Sequence, residues 1–227
     1  MTPDGPRSRL TDEFRLLKRP LIANATGSAQ VHNANLIMVT SAVPAEGKTF
    51  CSVNLAMSIA LELDHSVLLV DADVAKPSLP KVLGLPPSDG LLDILEDSSI
   101  GLGEVLLNTN VEKLSLLTSG NKHPRATELL ASAAMGDLLA EMASRYSDRI
   151  IIFDSPPLLA ATESHVLATH MGQIVLVVKA ESTLQSDVKH ALEAIQFCPI
   201  KLLVLNQAQA PMQGMYGYGY GYGGDQP

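Results

Sequence analysis

The stretch that decides the fold reads Ala42-Val43-Pro44-Ala45-Glu46-Gly47-Lys48-Thr49. It follows an apolar run, Leu36 to Val39, that is typical of a buried strand, and it precedes Phe50 to Leu63, which has the apolar spacing of a helix. A strand, a Gly-Lys-Thr turn and a helix in this order are the context of a phosphate-binding loop. Ala42 stands where the usual pattern has its first glycine, so the match is slightly relaxed.

The chemistry of such a loop is specific. Backbone N–H groups of the turn and of the helix N-terminus point at anionic oxygens. Lys48 can reach the β- and γ-phosphates of a nucleotide, and the Thr49 hydroxyl can ligate Mg²⁺. A chance Gly-Lys-Thr at a helix start is the competing interpretation, and the agreement of both flanks disfavours it. We therefore predict a nucleotide site that includes Ala45, Glu46, Gly47, Lys48, Thr49 and Phe50.

Composition narrows the class of protein. The chain has 227 residues with an apolar fraction of 46%, which suits one α/β domain with short tails. The net charge of −8 argues against nucleic acid as the main partner, because phosphate backbones require basic patches. The N-terminus has no secretory pattern, and no apolar run has the length of a membrane span. We expect a cytoplasmic chain that a partner would have to hold at any membrane.

Apolar runs of strand length recur along the chain, and they are apolar nearly throughout, as strands covered on both faces are. Helical spacing separates them, notably over Thr127 to Tyr146 and Thr183 to Phe197. This alternation predicts an α/β fold with a mostly parallel sheet and helices on both faces. Short helices and loops are expected over one sheet edge from Pro77 to Asn110. The predicted strands are Leu36 to Thr40, Ser66 to Val70, Leu114 to Thr118, Arg149 to Phe153, Gln173 to Val178 and Lys201 to Leu205.

Three regions follow from this pattern. Residues 1–34 comprise a polar tail and a basic helix, Leu10 to Ala25. Residues 35–206 form the nucleotide-binding domain. Residues 207–227 are of low complexity, rich in alternating tyrosine and glycine, and cannot build a core of their own.

Two further strands end in aspartate. Asp71 and Asp73 follow the second predicted strand, and Asp154 follows the fourth. Because ligands bind beyond the carboxyl ends of parallel strands, all three carboxylates are expected on the edge that holds the phosphate loop. An aspartate at a strand end is often only a turn or a helix cap, but three beside a phosphate loop favour Mg²⁺ binding and phosphoryl transfer.

With these three motifs in place, the chain resembles the bacterial tyrosine kinases, which are phosphate-loop ATPases related to the MinD and ParA group. The resemblance covers roughly residues 10–227 and includes a C-terminal tyrosine cluster, here Tyr216, Tyr218, Tyr220 and Tyr222. The N-terminal half and the Tyr-Gly tail look most like the autokinases of exosortase-type exopolysaccharide systems. The special lysine of MinD and ParA loops would fall at Val43, and its absence favours the kinase branch.

The sequence departs from this family at two places. The family usually has an arginine two residues after its second aspartate, where this chain has Ala75 followed by Lys76. The family's Glu-x-x-Arg-x-x-Arg oligomerisation motif appears as Asp12-x-x-Arg15-x-x-Lys18. The charge signs are retained, but lysine cannot reproduce the bidentate fork of arginine.

The resemblance also implies residue roles. Lys48 and Thr49 would bind phosphates and Mg²⁺, Asp71 would accept the tyrosine proton, and Asp73 and Asp154 would act on the metal, partly through water. Asn206 would read adenine, although a role in a turn is about equally plausible. The implied protein is a tyrosine autokinase that uses Mg-ATP, phosphorylates its own tyrosine cluster and regulates exopolysaccharide synthesis and export.

The resemblance further implies partners. A closed ring of subunits would form through Asp12, Arg15 and Lys18, with phosphoryl transfer between neighbours. A separate membrane protein of the chain-length-determinant type would activate the kinase at the inner face of the cell membrane. Two rival interpretations remain: a MinD- or ParA-like assembly or positioning ATPase without kinase activity, and a nucleotide-binding regulatory subunit whose tail is only a flexible adhesive.

Overall fold

A mostly parallel sheet lies at the centre of the structure, a computed structural model that describes residues 8–27, 31–145 and 149–209. Within these residues the strand order is β3-β4-β2-β5-β1-β6-β7, and only β3 runs antiparallel, against β4. The α/β fold class and the six predicted strands are confirmed, while the short strand β3 was not predicted. The strands are β1 (Leu36–Ser41), β2 (Ser66–Asp71), β3 (Leu107–Asn108), β4 (Leu114–Leu117), β5 (Arg149–Asp154), β6 (Gln173–Lys179) and β7 (Ile200–Asn206).

Helices cover both faces of the sheet. The helices α1 and α2 pack on one face, and the helices from α4 onward pack mainly on the other. Among the described residues, no helix has both the length and the hydropathy that crossing a membrane requires. The helices are α1 (Arg9–Thr26), α2 (Lys48–Ala60), α3 (Leu79–Leu83), α4 (Leu91–Glu96), α5 (Leu102–Val105), α6 (Ala126–Leu130), α7 (Ala133–Arg145), α8 (Thr162–Ala168) and α9 (Gln185–Ala194).

The long helix predicted over 127–146 is two helices instead. The chain leaves α6 after Leu130, and the Ser132 hydroxyl accepts a 3.3 Å hydrogen bond from the backbone N–H of Met135 at the start of α7. Serine is a favoured N-cap because its side chain satisfies an N–H that has no partner within the helix. The local capping chemistry therefore overrides the continuous apolar spacing.

The central strands are buried on both faces, and the edge strand β7 is not. All six residues of β1 are buried, whereas Leu203 and Leu205 of β7 are 55% and 60% exposed. The expectation that every strand is covered on both faces is therefore wrong for β7. Its residues Leu202 and Val204 pack on the face that α1 and α2 cover, and the opposite face of the strand is open.

The register of the sheet brings the predicted motifs to one edge. Asp154, the last residue of β5, pairs with Asp71 of β2 on one side and with Val39 of β1 on the other. The phosphate loop begins just beyond β1, so it lies next to both aspartates. Parallel strands that end together in this way form the usual ligand edge of an open α/β sheet.

Candidate active site

The phosphate loop connects β1 to α2 in a conformation that requires left-handed residues. Ala45 and Gly47 have φ angles of 67° and 93°. Gly47 is also crowded, since a Cβ at this position would lie 2.1 Å from Nδ2 of Asn206. Helix α2 begins directly after Gly47, at Lys48. The loop and the first turn of α2 therefore combine positive φ angles with a helix N-terminus, an arrangement that can bind an anion.

The side chain of Glu46 is buried beneath the loop and 1% exposed. Its Oε2 accepts a 2.8 Å hydrogen bond from the backbone N–H of Val43, and its Oε1 accepts from the backbone N–H of Lys179 at 3.2 Å and from the Thr183 hydroxyl. The carboxylate thus ties the loop to the end of β6. Any contact of Glu46 with a nucleotide would have to come from its backbone.

Asn206 lies against the same loop. Its side-chain amide donates a 2.8 Å hydrogen bond to the backbone carbonyl of Glu46. Asn206 therefore supports the loop from the end of β7 rather than closing a local turn, and the predicted contact with adenine stays a prediction.

The first turn of α2 is joined to the end of β5. The Thr49 hydroxyl donates to Oδ2 of Asp154 at 2.6 Å, and the Ser52 hydroxyl donates to Oδ1 at 3.0 Å. The Ser78 hydroxyl lies 2.7 Å from that of Thr49. Burial raises the pKa of Asp154, and the hydrogen bonds from Thr49 and Ser52 act in the opposite direction.

Asp71 lies on the expected edge of the sheet, and backbone N–H groups of the following loop hold its carboxylate. The side chain is fully buried. Its Oδ2 accepts from the backbone N–H groups of Ser78 and Leu79 at 3.1 and 3.0 Å, and its Oδ1 accepts from that of Asp73 at 3.3 Å. Burial raises the pKa of Asp71 to about 7. In this conformation Asp71 anchors the loop after β2, and its role as acceptor of the tyrosine proton stays a prediction.

Asp73, by contrast, faces an open cleft of about 390 Å³. Lys48 and Thr49 line the same cleft. Burial raises the pKa of Asp73, and the charge of Lys48 partly offsets this effect. A half-buried carboxylate beside the phosphate loop suits either a proton acceptor or a partner of metal-bound water.

The structure thus brings most of the predicted site residues together. Six of them line the cleft: Ala45, Gly47, Lys48, Thr49, Phe50 and Asp73. Asp154 contacts Thr49 directly behind this cleft, and Asn206 contacts the loop. The predicted acceptors Tyr216, Tyr218, Tyr220 and Tyr222 lie outside the described residues.

Lys18 differs from the expectation. The residue is only 5% exposed, and its ammonium group contacts Glu62 Oε1 at 2.6 Å and the backbone carbonyl of Ser58 at 2.5 Å. Lys18 therefore anchors α1 to α2 of its own chain, which corrects its expected role at a subunit contact. Asp12 and Arg15 remain at the surface, 3.3 Å apart.

Helix α1 also contacts the start of α2. Phe14 and Phe50 pack edge to face, with ring centroids 6.2 Å apart. Phe50 follows Thr49 directly and is still 46% exposed. The helix that carries Asp12 and Arg15 is therefore in contact with the wall of the cleft.

Several residues of the site were not predicted. Ser52 follows Thr49 by three residues, so the two share a face of α2, and this spacing could have indicated that Ser52 also lies on the Asp154 side. Ser78 carried no such signal, because the fold of its loop brings it to Thr49. Glu163 lies in the first turn of α8, where it accepts a 2.6 Å hydrogen bond from Thr127, and its charge raises the pKa of Asp73.

The donor atoms fit Mg²⁺ better than a metal held by protein alone. In the described residues no three His, Cys, Asp or Glu side chains cluster closely enough to hold a metal ion. A hydroxyl and a carboxylate, Thr49 and Asp154, stand instead beside a loop shaped for phosphates. Mg²⁺ typically binds one or two protein oxygens and completes its coordination shell with phosphate and water oxygens. The hydroxyl and the carboxylate beside the loop therefore suit Mg²⁺.

Comparisons with known proteins agree with this geometry. The family model described as "ParA: NUBPL iron-transfer P-loop NTPase" matches residues 32–208. Tyrosine-protein kinase YwqD of Bacillus subtilis (strain 168) is 33% identical over 214 residues, which are 93% of this chain and 87% of YwqD. The similarity to YwqD therefore covers most of both proteins.

Solved structures show the same relationship. The kinase domain of Escherichia coli tyrosine kinase ETK has a TM-score of 0.79 and 27% identity, over 96% of this chain and 84% of the ETK chain. The chimerical protein CapA2B2 has a TM-score of 0.74 and 27% identity, over 88% of this chain and 87% of its own. Both similarities cover most of the chain.

Proposed function

We propose that this chain, which belongs to the bacterial tyrosine-protein kinases and to the ParA family of P-loop NTPases, transfers the γ-phosphate of ATP to tyrosines of its own C-terminal segment. One observation carries the proposal. Asn206, the last residue of β7, donates its side-chain amide to the backbone of Glu46 in the phosphate loop. The segment that carries the tyrosines therefore departs from the sheet beside the nucleotide edge.

The proposed acceptors are Tyr216, Tyr218, Tyr220 and Tyr222. About ten residues separate Asn206 from Tyr216, enough to span roughly 33–36 Å when extended and roughly 17 Å on average. This reach permits transfer within a subunit or to a neighbour, and the family resemblance favours the neighbour. The glycines between the tyrosines let each ring enter a narrow cleft without a bulky flanking side chain.

The phosphate loop and Lys48 would hold the β- and γ-phosphates of ATP. Thr49 and Asp154 would hold Mg²⁺, with Asp73 acting through metal-bound water. Magnesium, when bound, would neutralise charge on the phosphates as the γ-phosphoryl group is transferred. The 2.6 Å contact between Thr49 and Asp154 supports this assignment, because it presents a hydroxyl and a carboxylate at one point.

Asp73 would also receive the proton of the attacking tyrosine. A phenol with a pKa near ~10 is a weak nucleophile at neutral pH, so a carboxylate close to the hydroxyl favours its attack. Asp73 is open to the cleft, whereas both oxygens of Asp71 are engaged by backbone N–H groups. Asp71 would hold the loop that positions Asp73.

Subunits would assemble through α1, with Asp12 of one subunit facing Arg15 of the next. Both side chains are substantially exposed and so are available to a neighbour. A closed ring would allow each cleft to receive a neighbour's tail. Light scattering of Arg15→Ala, with Arg9→Ala as the control on the same helix, tests this: an unchanged mass for Arg15→Ala contradicts the contact.

The cellular role would be the regulation of exopolysaccharide synthesis and export at the inner face of the cell membrane. A separate membrane protein of the chain-length-determinant type would hold and activate the kinase. Co-purification of this chain with a co-expressed membrane protein of this type tests the role, and consistent failure of the two proteins to associate counts against it.

The rival function is that of a MinD- or ParA-like assembly ATPase, which the ParA match keeps open. Incubation of the purified protein with Mg-ATP, followed by mass spectrometry, separates the two. The kinase produces phosphotyrosine in the wild type and none in a variant whose four tail tyrosines are phenylalanine. ATP hydrolysis without phosphotyrosine in the wild type would establish the rival.

A further inference from the structure

Lys76 is a second lysine on the wall of the cleft, and it enters none of the roles described so far. Together with Lys48 and Asp73 it lines the space between the phosphate loop and the loop after β2. Its backbone N–H donates to Oδ1 of Asp73 at 3.1 Å and to the Asp73 carbonyl at 3.1 Å. This tight turn fixes the position of Lys76 relative to Asp73.

The side chain of Lys76 is available to a ligand. The residue is exposed, and within the described residues its ammonium group takes part in none of the ion pairs. It is nevertheless close enough to Asp73 for its charge to lower the pKa of that carboxyl, against the effect of burial. An ammonium group in this position can turn into the cleft.

The site carries an excess of negative charge, which favours a second cationic side chain in the cleft. Asp71, Asp73 and Asp154 lie at the ends of two neighbouring strands, and the charge of Glu163 also acts on Asp73. A bound triphosphate would add further negative charge. Lys48 and Lys76 are the two cationic side chains among the described residues that line the cleft. Transfer of a phosphoryl group is accelerated by cations placed where its negative charge lies.

We infer that Lys76 contacts the γ-phosphate of bound ATP from the side of the cleft opposite Lys48, an inference that rests on the proposed function. The turn at Asp73 brings the ammonium group and the proposed proton acceptor to the same end of the nucleotide. Lys76 would stabilise the charge of the phosphoryl group during transfer while Asp73 receives the tyrosine proton. An ammonium group serves as a point charge here, so arginine should substitute for it in part.

The test compares Lys76→Met with Lys81→Met. Lys81 is a matched control, since it is also exposed, lies on the neighbouring helix α3 and is not part of the cleft wall. The affinities for Mg-ADP and for a non-hydrolysable Mg-ATP analogue are measured by calorimetry. Lys76→Met should bind the analogue about ten- to a hundredfold more weakly, as expected for loss of a charged hydrogen bond, and ADP within about twofold of the wild type.

Two further readouts sharpen the result. Lys76→Arg should recover most of the affinity for the analogue, and Lys76→Met should lower kcat for tyrosine phosphorylation by a similar factor. Thermal unfolding of all variants should match the wild type, because Lys76 is exposed. The inference is overturned if Lys76→Met binds the analogue like Lys81→Met, or if it loses affinity for ADP and the analogue equally.

The binding measurement does not require kinase activity. A wild type that binds the analogue but never forms phosphotyrosine would contradict the proposed function, and the comparison of Lys76→Met with Lys81→Met would still decide whether Lys76 contacts the γ-phosphate.

Discussion

The hydroxyl of Thr49 donates a 2.6 Å hydrogen bond to Oδ2 of Asp154. This contact joins the first turn of α2, which follows the phosphate loop, to the end of β5 in the middle of the sheet. A second hydroxyl, that of Ser52, donates to the other oxygen of Asp154. One buried carboxylate therefore sets the position of α2 relative to the strand edge on which the nucleotide would bind.

Replacement of Asp154 should change the metal dependence of the enzyme. Asp154→Asn keeps the size of the side chain but removes the charge that would face Mg²⁺, so half-maximal phosphorylation should require at least about tenfold more Mg²⁺. Ser52→Ala is the control, because it removes a hydrogen bond to Asp154 and leaves Thr49 and the carboxylate in place. Titration of activity with Mg²⁺ checks this, and identical Mg²⁺ curves for Asp154→Asn and wild type would remove Asp154 from the metal site.

Replacement of Asp71 should lower the stability of the protein, whereas replacement of Asp73 should lower its kinase activity. Asp71→Ala leaves the backbone N–H groups of Asp73, Ser78 and Leu79 without their acceptor, and should lower the free energy of unfolding by about 1–3 kcal/mol. Asp73→Asn should leave stability nearly unchanged and reduce tyrosine phosphorylation by roughly 10²-fold or more, as loss of a general base does. Urea denaturation and a phosphotyrosine assay measure the two effects.

One outcome would contradict the separate roles of Asp71 as a loop anchor and Asp73 as the proton acceptor. If Asp73→Asn keeps full activity while Asp71→Asn loses it without loss of stability, the proton acceptor is Asp71, as the family resemblance first implied.

Gly47 should not tolerate a side chain. Gly47→Ala places a Cβ about 2.1 Å from Nδ2 of Asn206 at a residue whose φ is 93°. We expect a loss of stability on the order of 1–3 kcal/mol and loss of nucleotide binding, because the loop must shift to relieve the contact. Gly103→Ala is the matched control, since its φ is not positive and a Cβ there would meet no atom within 4 Å. Similar thermal stability and nucleotide affinity for both variants would mean that the loop is not constrained in this way.

Lys18 should stabilise the docking of α1 on α2. Lys18→Met leaves the Ser58 carbonyl and the Glu62 carboxylate without their cation and should cost about 1–3 kcal/mol of unfolding free energy. Arg19→Met, a change of the next residue, which is exposed, should cost little. Urea denaturation of both variants at pH 7 measures the difference.

The contribution of Lys18 to the free energy of unfolding should also depend on pH. The hydrogen bond from Lys18 lowers the pKa of Glu62 from its ordinary value of 4.5. A carboxyl with a lowered folded-state pKa adds stability above its unfolded pKa, and this stability is lost as the pH falls through the folded value. The difference between wild type and Lys18→Met should therefore shrink below about pH 4. A difference that stays constant from pH 7 to pH 3 would show that the ion pair is not its source.

The sequence predicts the sheet and the edge that carries the site because both depend on local patterns. Long apolar runs identify buried strands, and Gly47-Lys48-Thr49 after such a run predicts the turn into α2. The contacts of the Asp71 side chain could not be predicted from these local patterns. Its carboxylate accepts hydrogen bonds from the backbone N–H groups of Ser78 and Leu79, which the following loop brings back to the end of β2. The position of Asp71 at a strand end does not predict the path of that loop.

Lys18 is a different case, since its spacing did carry a signal. Phe14, Lys18 and Leu21 follow one another at intervals of four and three residues, so they share the face of α1 that is buried. The charge of Lys18 suggested a surface residue, and the helical phase indicated a buried one. The buried position is possible because Glu62 and the Ser58 carbonyl satisfy the ammonium group.

The central claim is that this cleft transfers phosphate to the tyrosine tail. It is tested most directly by mixing two proteins, neither of which can phosphorylate a tail of its own: Lys48→Met protein with an intact tail as acceptor, and active protein lacking residues 211–227 as donor. With Mg-ATP present, mass spectrometry should find phosphotyrosine on the tail of the Lys48→Met chain, and none when the donor also carries Asp73→Asn. An acceptor tail that stays unmodified, while the donor hydrolyses ATP and full-length wild type forms no phosphotyrosine, would contradict the account.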